Sequence, residues 1–284
     1  RGVQFGWDRT NENKATKPHG VIVKILVIGE SCKDIFVYGK TNRLCPEGPA
    51  PVFNPLFSTT NGGMAKNVEK NIISMGVSCD IHTNKNWERV KKTRYIDYNF
   101  NHLFLRVDEC DDKIKRTKEL ETINYSDYEA VIISDYNKGF LTENDIKYIG
   151  SAHKNVFLDT KKHLYENWCA GIRHIKINNY EYERTKHTLS NNMYEKLIVT
   201  LGADGCIYKD ETYPVPKVEM KDSSGAGDTF IAALAIKYVE TNNIVDAIKF
   251  ANLHATEVVQ KRGVAVAGTK KWKELWLLEP EGFW

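Results

Sequence analysis

The chain has 284 residues, of which 42% are hydrophobic and 27% charged, values typical of a globular protein with a sizeable core. Its 40 Lys and Arg barely outnumber its 37 Asp and Glu, and the net charge of +3 argues against a dedicated nucleic-acid binder. No apolar run reaches the roughly 18 residues of a membrane span, and the start of the chain lacks a signal-peptide pattern. The six scattered cysteines form no metal-ligand pattern and indicate reduced thiols in a cytoplasmic protein.

The first predicted elements follow a polar stretch, residues 1–20, which we interpret as a tail or linker. Residues 21–29 are almost continuously apolar and predict a parallel strand that is buried on both faces. The region 36–58 contains short strand patterns around a Pro-rich turn, and it predicts a small sheet that protrudes from the core. Residues 64–75 predict a short amphipathic helix that a glycine closes.

Beyond residue 80, strand and helix patterns alternate. A charged stretch, residues 112–122, predicts a helix, and two long helices are predicted over 226–240 and 244–260, before a Trp-rich extension at 269–284. Such alternation implies an α/β fold, with a mostly parallel sheet and helices on both faces. Ligands of such sheets bind on loops beyond the carboxyl ends of the strands. The main strands predicted here are 80–83, 93–98, 103–107, 130–134, 155–158, 174–177 and 196–200.

One segment, DSSGAGDT at residues 222–229, carries the most chemical information. Gly225, Ala226 and Gly227 allow backbone N–H groups to approach an anion, and the helix that follows adds unpaired donors and a partial positive charge. Phosphoryl transfer needs such donors to stabilise the transferring group. Asp228, in the first turn of the helix, could act as a general base for an attacking hydroxyl. The alternative is that Asp228 only complements the helix dipole.

This octet resembles the second signature, D-T-x-G-A-G-D, of the ribokinase-like (PfkB-type) carbohydrate kinases. GGMAKN at 62–67 resembles the first signature of that family, and TLGADG at 200–205 resembles its nucleotide loop. Asn178 and Glu181 fit its N-x-x-E motif. The resemblance implies a ribokinase-like three-layer sandwich over residues 21–268, with a small β lid at about 36–58. It also implies ATP and Mg²⁺ as cofactors, room for a monovalent cation, a sugar or sugar phosphate as substrate, and a homodimer formed through the small sheet.

The resemblance also implies roles for individual residues. Asp228 would be the base, while Gly225, Ala226 and Gly227 would stabilise the transferring phosphoryl group. Glu181 would order Mg²⁺ through water. The residues that would bind the nucleotide are Asn178, Thr200, Gly202, Gly205, Ser224 and Asn252.

Four segments are similar to one branch of the family, the kinase domain of bacterial D-glycero-β-D-manno-heptose-7-phosphate kinases. They are GESCKD at 29–34, TNRLCPEGPAPV at 41–52, LRVD at 105–108 and SDYNKG at 134–139. By this resemblance Arg106 and Lys138 would neutralise a sugar phosphate, a role that suits cations. The residues that would bind sugar hydroxyls are Asp34, Gly62, Gly63 and Asn67.

Each of these roles has a structural alternative. Asp34 could be a turn residue, and Arg106 and Lys138 could be solvated charges. Asn178 could cap the short helix that contains Glu181, which is compatible with a phosphate role.

The chain departs from the family pattern in one region. Only residues 77–92 separate the first-signature helix from the next match, which is too short for the strand–helix unit that the family carries there. The exact sugar is therefore open, and a kinase for fructose, ribose or a nucleoside is the alternative. A further alternative is a non-catalytic homologue that binds nucleotide or sugar. The H-x-G-H motif of the nucleotidylyltransferase often fused to the heptose enzymes does not occur, so adenylyl transfer is not expected.

Overall fold

The computed structural model describes residues 23–268, so the predicted tail at 1–20 and the Trp-rich extension lie outside the described residues. Strands in this part of the chain follow one another with few long connections. In chain order they are β1 (Lys24–Gly29), β2 (Ser31–Leu44), β3 (Pro51–Met64), β4 (Ser78–His82), β5 (Lys91–Asp97), β6 (Leu103–Glu109), β7 (Ala130–Asp135), β8 (Val156–Thr160), β9 (His174–Asn178), β10 (Leu197–Thr200), β11 (Cys206–Tyr208) and β12 (Glu211–Tyr213).

The helices lie between the strands and after the last of them. In chain order they are α1 (Ala65–Ser74), α2 (Glu143–Ala152), α3 (Glu166–Cys169), α4 (Asn179–Thr185), α5 (Asn191–Tyr194), α6 (Ala226–Thr241) and α7 (Ile244–Val259). Within residues 23–268, no helix combines the length and the apolar character that crossing a membrane requires.

The body of the molecule is an eight-stranded sheet with the order β12-β11-β10-β9-β8-β7-β1-β4. Within this order, β10, β9, β8, β7, β1 and β4 pair in parallel with their neighbours, and β11 and β12 form an antiparallel edge. β1, β7 and β8 are buried along almost their whole length because helices cover both faces of the sheet. One apolar cluster packs α2 and α3 on one face, and a second packs α1, α6 and α7 on the other. The predicted α/β sandwich with a mostly parallel sheet is therefore confirmed.

A second sheet stands beside the body and is called the lid here. It has four strands in the order β3-β2-β5-β6, in which β2 pairs antiparallel with β3 and parallel with β5. It contains the region 36–58 that the sequence pointed to, and it also contains the strand patterns at 93–98 and 103–107.

The helix predicted at residues 112–122 is wrong. The chain forms only two short 3-10 turns there, Asp111–Lys113 and Leu120–Thr122. The buried apolar residues of this stretch, Ile114 and Leu120, are six positions apart and would lie about 120° apart around an α-helix. The stretch with its two 3-10 turns buries both side chains in an apolar cluster of the body, and a helix this short would be only marginally stable by itself.

The helix α6 places the glycine-rich octet. It is apolar on all sides because it packs between the sheet, α1 and α7. Its N-cap residue Gly225 has a left-handed φ of 82° and provides no side-chain cap. The amide of Ala226 donates to the backbone oxygen of Ser223 at 3.2 Å, so the next N–H groups of the first turn, those of Gly227 and Asp228, are the ones available to a ligand.

Candidate active site

The octet passes very close to two other elements of the body. A Cβ atom on Gly225 would lie 2.7 Å from Nδ2 of Asn67 on α1, and one on Gly227 would lie 2.7 Å from Nζ of Lys176 on β9. Lys176 is buried, and its ammonium pairs with Asp159 at 2.7 Å. Small residues are therefore required in this loop, and a cation lies directly beneath it.

Asp228 lies in the first turn of α6, next to this loop, with only 5% of its surface exposed. Its Oδ2 accepts a hydrogen bond from Nδ2 of Asn67 at 2.8 Å, and its Oδ1 accepts one from the hydroxyl of Tyr136 at 2.9 Å. Burial raises the pKa of Asp228 from the ordinary 3.8 to about 6, although both hydrogen bonds act in the opposite direction. The carboxylate is thus ionised near neutral pH and basic enough to accept a proton.

A cleft of about 400 Å³ opens beside the octet. Four residues that were predicted at the nucleotide line it, namely Thr200, Gly202, Gly205 and Asn252, together with Ala226 and Gly227 of the octet. Most of the remaining wall is apolar and comes from residues 215–220 and from α7. A flat aromatic base could bind in this cleft with its phosphates directed at the octet.

Ser224, also predicted at the nucleotide, lies on the wall of a neighbouring cavity of about 250 Å³. That cavity is bounded by the lid residues Phe36, Arg94 and Leu103, and it faces residues 220–224. The octet therefore separates a nucleotide-sized cleft from a smaller cavity under the lid. This arrangement would hold two ligands on either side of the octet, close enough to react.

Asn178 and Glu181 form the N-terminal cap of α4. The Asn178 side chain accepts a hydrogen bond from the Glu181 amide at 2.9 Å, and Oε2 of Glu181 accepts one from the Asn178 amide at 2.8 Å. The capping alternative is thus real. The buried Glu181 carboxylate also contacts the ammonium of Lys161, which follows β8. Both side chains of the motif therefore already have partners within the protein, and a ligand would share them.

The residues that were predicted to bind sugar hydroxyls lie together at the base of the lid. A Cβ on Gly63 would lie 2.8 Å from Sγ of Cys32 and 3.3 Å from Cβ of Asp34. Burial raises the pKa of Asp34, and the guanidinium of Arg94, which pairs with its carboxylate, opposes this effect. Gly62 is adjacent on β3, which continues directly into α1 and Asn67.

Arg106 and Lys138 belong to one network that we call the lid charge cluster, formed by Lys92, Arg106, Asp108, Asp111 and Lys138. Arg106 pairs with Asp108 at 2.7 Å, and Lys138 pairs with Asp111 at 2.7 Å. The buried Lys92 bridges the two aspartates at 3.2 and 3.0 Å. The fold thus brings together two cations that are distant in sequence, and both carry carboxylate partners instead of being free in solvent.

The sequence interpretation gave no role to several residues that the fold places at the site. Lys176 had a signal, because a lysine in an otherwise apolar strand is buried only at a cost and so points to function. Tyr136 lay in the matched SDYNKG segment, but nothing in the sequence paired it with Asp228. Lys92 and Arg94 are on β5, and their contacts depend on how the lid is assembled.

A mostly parallel sheet, a lid, a glycine-rich loop at a helix N-terminus and a buried carboxylate are together typical of the ribokinase fold. Solved structures agree on the fold. Ribokinase from Thermotoga maritima aligns with a TM-score of 0.68 and 16% identity, over 91% of this chain and 100% of that one. Arabidopsis thaliana ribokinase, complexed with ribose and ATP, aligns with a TM-score of 0.64 and 16% identity, over 91% and 99% of the two chains.

Residues 80–271 match the pfkB family of carbohydrate kinases, so the chain belongs to that family. Among curated relatives, the bifunctional protein HldE of Helicobacter pylori (strain P12) is 30% identical over 87% of this chain and 65% of its own length. HldE of Sulfurimonas denitrificans is 30% identical over 88% and 64%, respectively. The chain thus spans about 65% of the length of these relatives.

Proposed function

We propose that the chain transfers the γ-phosphoryl group of ATP to a hydroxyl of a phosphorylated sugar, with O1 of heptose 7-phosphate as the leading acceptor. The observation that carries this proposal is the buried carboxylate of Asp228 at the N-terminus of α6, between the nucleotide-sized cleft and the cavity under the lid. The four segments that resemble the heptose-7-phosphate kinases support the choice of a heptose.

In this reaction the ionised Asp228 accepts the proton of the acceptor hydroxyl. The hydroxyl oxygen forms a bond to the γ-phosphorus as the bond to the bridging oxygen of ADP breaks, and ADP leaves with the electron pair. The N–H groups of Gly225 and Gly227 stabilise the charge on the transferring group, and the Lys176 ammonium lies beneath the same loop. Charge stabilisation and positioning supply most of the rate enhancement in such transfers.

The donor set at the nucleotide end fits Mg²⁺ held largely by phosphates and water. Within residues 23–268, no group of three or more His, Cys, Asp or Glu side chains could enclose a metal ion. Mg²⁺ characteristically keeps several waters and uses one or two carboxylates besides substrate phosphates. Glu181, fixed by Asn178 and Lys161, would order a metal-bound water, and the ion when bound would neutralise phosphate charge.

The lid charge cluster supports a phosphate on the acceptor. Together with Arg94 it has four cations against Asp34, Asp108 and Asp111, and Arg94 also lines the cavity under the lid. A phosphate dianion could bind there and share the hydrogen-bond donors that the aspartates now hold in place.

A substrate panel separates the alternatives. We expect ADP release with heptose 7-phosphate to exceed that with fructose, ribose or nucleosides by at least about tenfold in kcat/KM, the effect of about 1.4 kcal/mol of differential binding. Faster turnover of one of these unphosphorylated substrates would favour the alternative, a kinase for fructose, ribose or a nucleoside. ATP binding without ADP release on any sugar would favour a non-catalytic homologue.

Substitution of Asp228 by Asn tests the base. Turnover should fall by about 10²–10⁴-fold because the proton acceptor is lost, while the Kd of ATP changes little. The matched control is Asp246→Asn, since Asp246 also lies in the first turn of a helix, α7, but away from the cleft. Unchanged turnover in Asp228→Asn would leave only the helix-dipole role for Asp228.

We also propose a cytoplasmic homodimer that pairs through the lid. Leu105 and Val107 on β6 are exposed, as are Leu56 and Phe57 on β3. These side chains would supply apolar contacts to a second copy. Sedimentation at micromolar concentration should show a mass of twice 32.5 kDa, whereas a single monomer species would contradict the proposal.

A further inference from the structure

The hydrogen bond from Tyr136 to Asp228 joins residues that are 92 positions apart in the chain. Tyr136 follows β7, while Asp228 lies in the first turn of α6, and the two meet where the loop after β7 passes the N-terminus of the helix. Burial and the nearby charge of Asp228 raise the pKa of Tyr136 well above its ordinary value, so the phenol remains a donor at physiological pH.

A buried carboxylate fixes the loop that carries Tyr136. Glu30, between β1 and β2, is fully buried and accepts hydrogen bonds from the backbone amides of Tyr136 at 2.8 Å and Lys138 at 2.9 Å. A longer contact from the amide of Phe140, at 3.4 Å, completes the set. Asn137 between them has a left-handed φ of 56°, which a short polar side chain tolerates best. The position of the phenol is thus set by the body of the protein.

Other charged groups face Asp228 from the neighbouring strands. Asp159 on β8 raises its pKa, Lys176 on β9 lowers it, and Lys161, after β8, is close enough for its own pKa to respond to Asp228. The direct hydrogen-bond donors to the carboxylate are Asn67 on α1 and Tyr136. With one donor on each oxygen, the carboxylate cannot rotate freely, and each oxygen keeps a lone pair for a substrate hydroxyl.

We propose that Tyr136 is a positioning residue for the catalytic base, which holds the Asp228 carboxylate in a fixed orientation and favours its ionised form. The inference rests on the proposed function of Asp228. Because the same loop presents Lys138 to Asp111 of the lid charge cluster, Glu30 positions both the donor to the base and a predicted phosphate ligand.

The test is the pH dependence of kcat/KM in Tyr136→Phe. Removal of a hydrogen bond to the ionised form raises the pKa of Asp228, and the base must be ionised to work. The acid limb should therefore move to higher pH, so that the loss of activity is several-fold larger at pH 6 than at pH 8. The KM of ATP should not change, since Tyr136 is absent from the wall of the nucleotide-sized cleft.

The matched control is Tyr125→Phe. Tyr125 is also buried, and its hydroxyl donates to the backbone oxygen of Leu120, remote from the octet. This variant should show the wild-type pH profile. An equal loss at every pH in Tyr136→Phe, or no loss at all, overturns the proposal.

A direct titration keeps this inference separate from the proposed function. The carboxyl carbon of Asp228 can be followed by ¹³C NMR in the wild type and in Tyr136→Phe, with Asp228→Asn to assign its signal. A higher pKa in Tyr136→Phe supports the positioning role even if no sugar in the panel is phosphorylated. An unchanged pKa overturns it even if the kinase is active.

Discussion

At the scale of the residue, the buried carboxylate of Asp228 lowers the stability of the fold when it is ionised. Ionising a buried carboxylate costs free energy. The donors Asn67 and Tyr136 and the charge of Lys176 offset only part of that cost, because the pKa of Asp228 remains raised at about 6. A charge kept at some cost is typical of groups that serve the reaction instead of the fold. The same reasoning applies to Lys176, which lies beneath the octet and is neutralised by Asp159.

This cost predicts how stability changes with pH. The pKa of Asp228 in the folded protein lies above the unfolded value of 3.8. The stability of the fold is therefore unaffected by this carboxyl below about pH 4, and the free energy of unfolding falls as pH rises through about 6. Asp228→Asn removes that loss. We expect the variant to melt several degrees above the wild type at pH 8 and to show a smaller difference at pH 4, in thermal unfolding followed by circular dichroism. A lower Tm at pH 8 would contradict this account.

At the scale of the element, the junction between the octet and α6 depends on glycine for two different reasons. Gly225 has a left-handed φ, which L side chains rarely adopt, whereas Gly227 has an ordinary helical backbone but no space for a Cβ. Local propensity alone would favour alanine at the second position, by up to about 1 kcal/mol. The tertiary contact with Lys176 overrides this preference.

Gly227→Ala should therefore move the Lys176 ammonium away from the octet. We expect turnover to fall by about 10–100-fold, because displacements near 1 Å are costly at a reacting centre, with ADP release as the measurement. Gly48→Ala is the control, since no atom lies within 4 Å of the added Cβ in that lid turn. Equal activities of the two variants would show that the close approach at Gly227 has no catalytic importance.

At the scale of the whole molecule, the lid contacts the body near the octet. The side chain of Asn101, in the turn between β5 and β6, donates to the backbone oxygen of Lys221. Nη1 of Arg262, after α7, donates to the backbone oxygen of Tyr98 at 3.0 Å, and its guanidinium lies over the Tyr98 ring. The first contact borders the cavity where we place the acceptor, since Asn101 and Lys221 both line it, and together the two contacts can hold the lid against the body.

Arg262→Ala tests this contact. We expect a several-fold higher KM for the sugar phosphate, because the lid would close over it less often, and little change in the KM of ATP. Arg184→Ala is the control, since Arg184 also lies over a tyrosine ring, that of Tyr180, but on the exposed surface of α4. Equal changes in both KM values would argue against a separate role of the lid.

The sequence by itself determined the parts of this protein that local chemistry encodes. Apolar runs predicted the buried strands, and the octet predicted the anion loop and its aspartate, because small residues before a helix have few other uses. Charged residues were less informative. The stretch 112–122 has a composition compatible with a helix, yet its two apolar side chains had to reach the core, and that decided its conformation.

Only the tertiary structure decided which side chains share an environment. The pairs Tyr136–Asp228, Lys176–Asp159 and Arg94–Asp34 each join separate elements, and no spacing in the chain encodes them. The same holds for the lid charge cluster, where a network across β5, β6 and two loops replaces the free cations that a list of residues suggests. The physical reason is that burial and charge pairing depend on distances in space, which the order of the sheet strands and the placement of the lid determine.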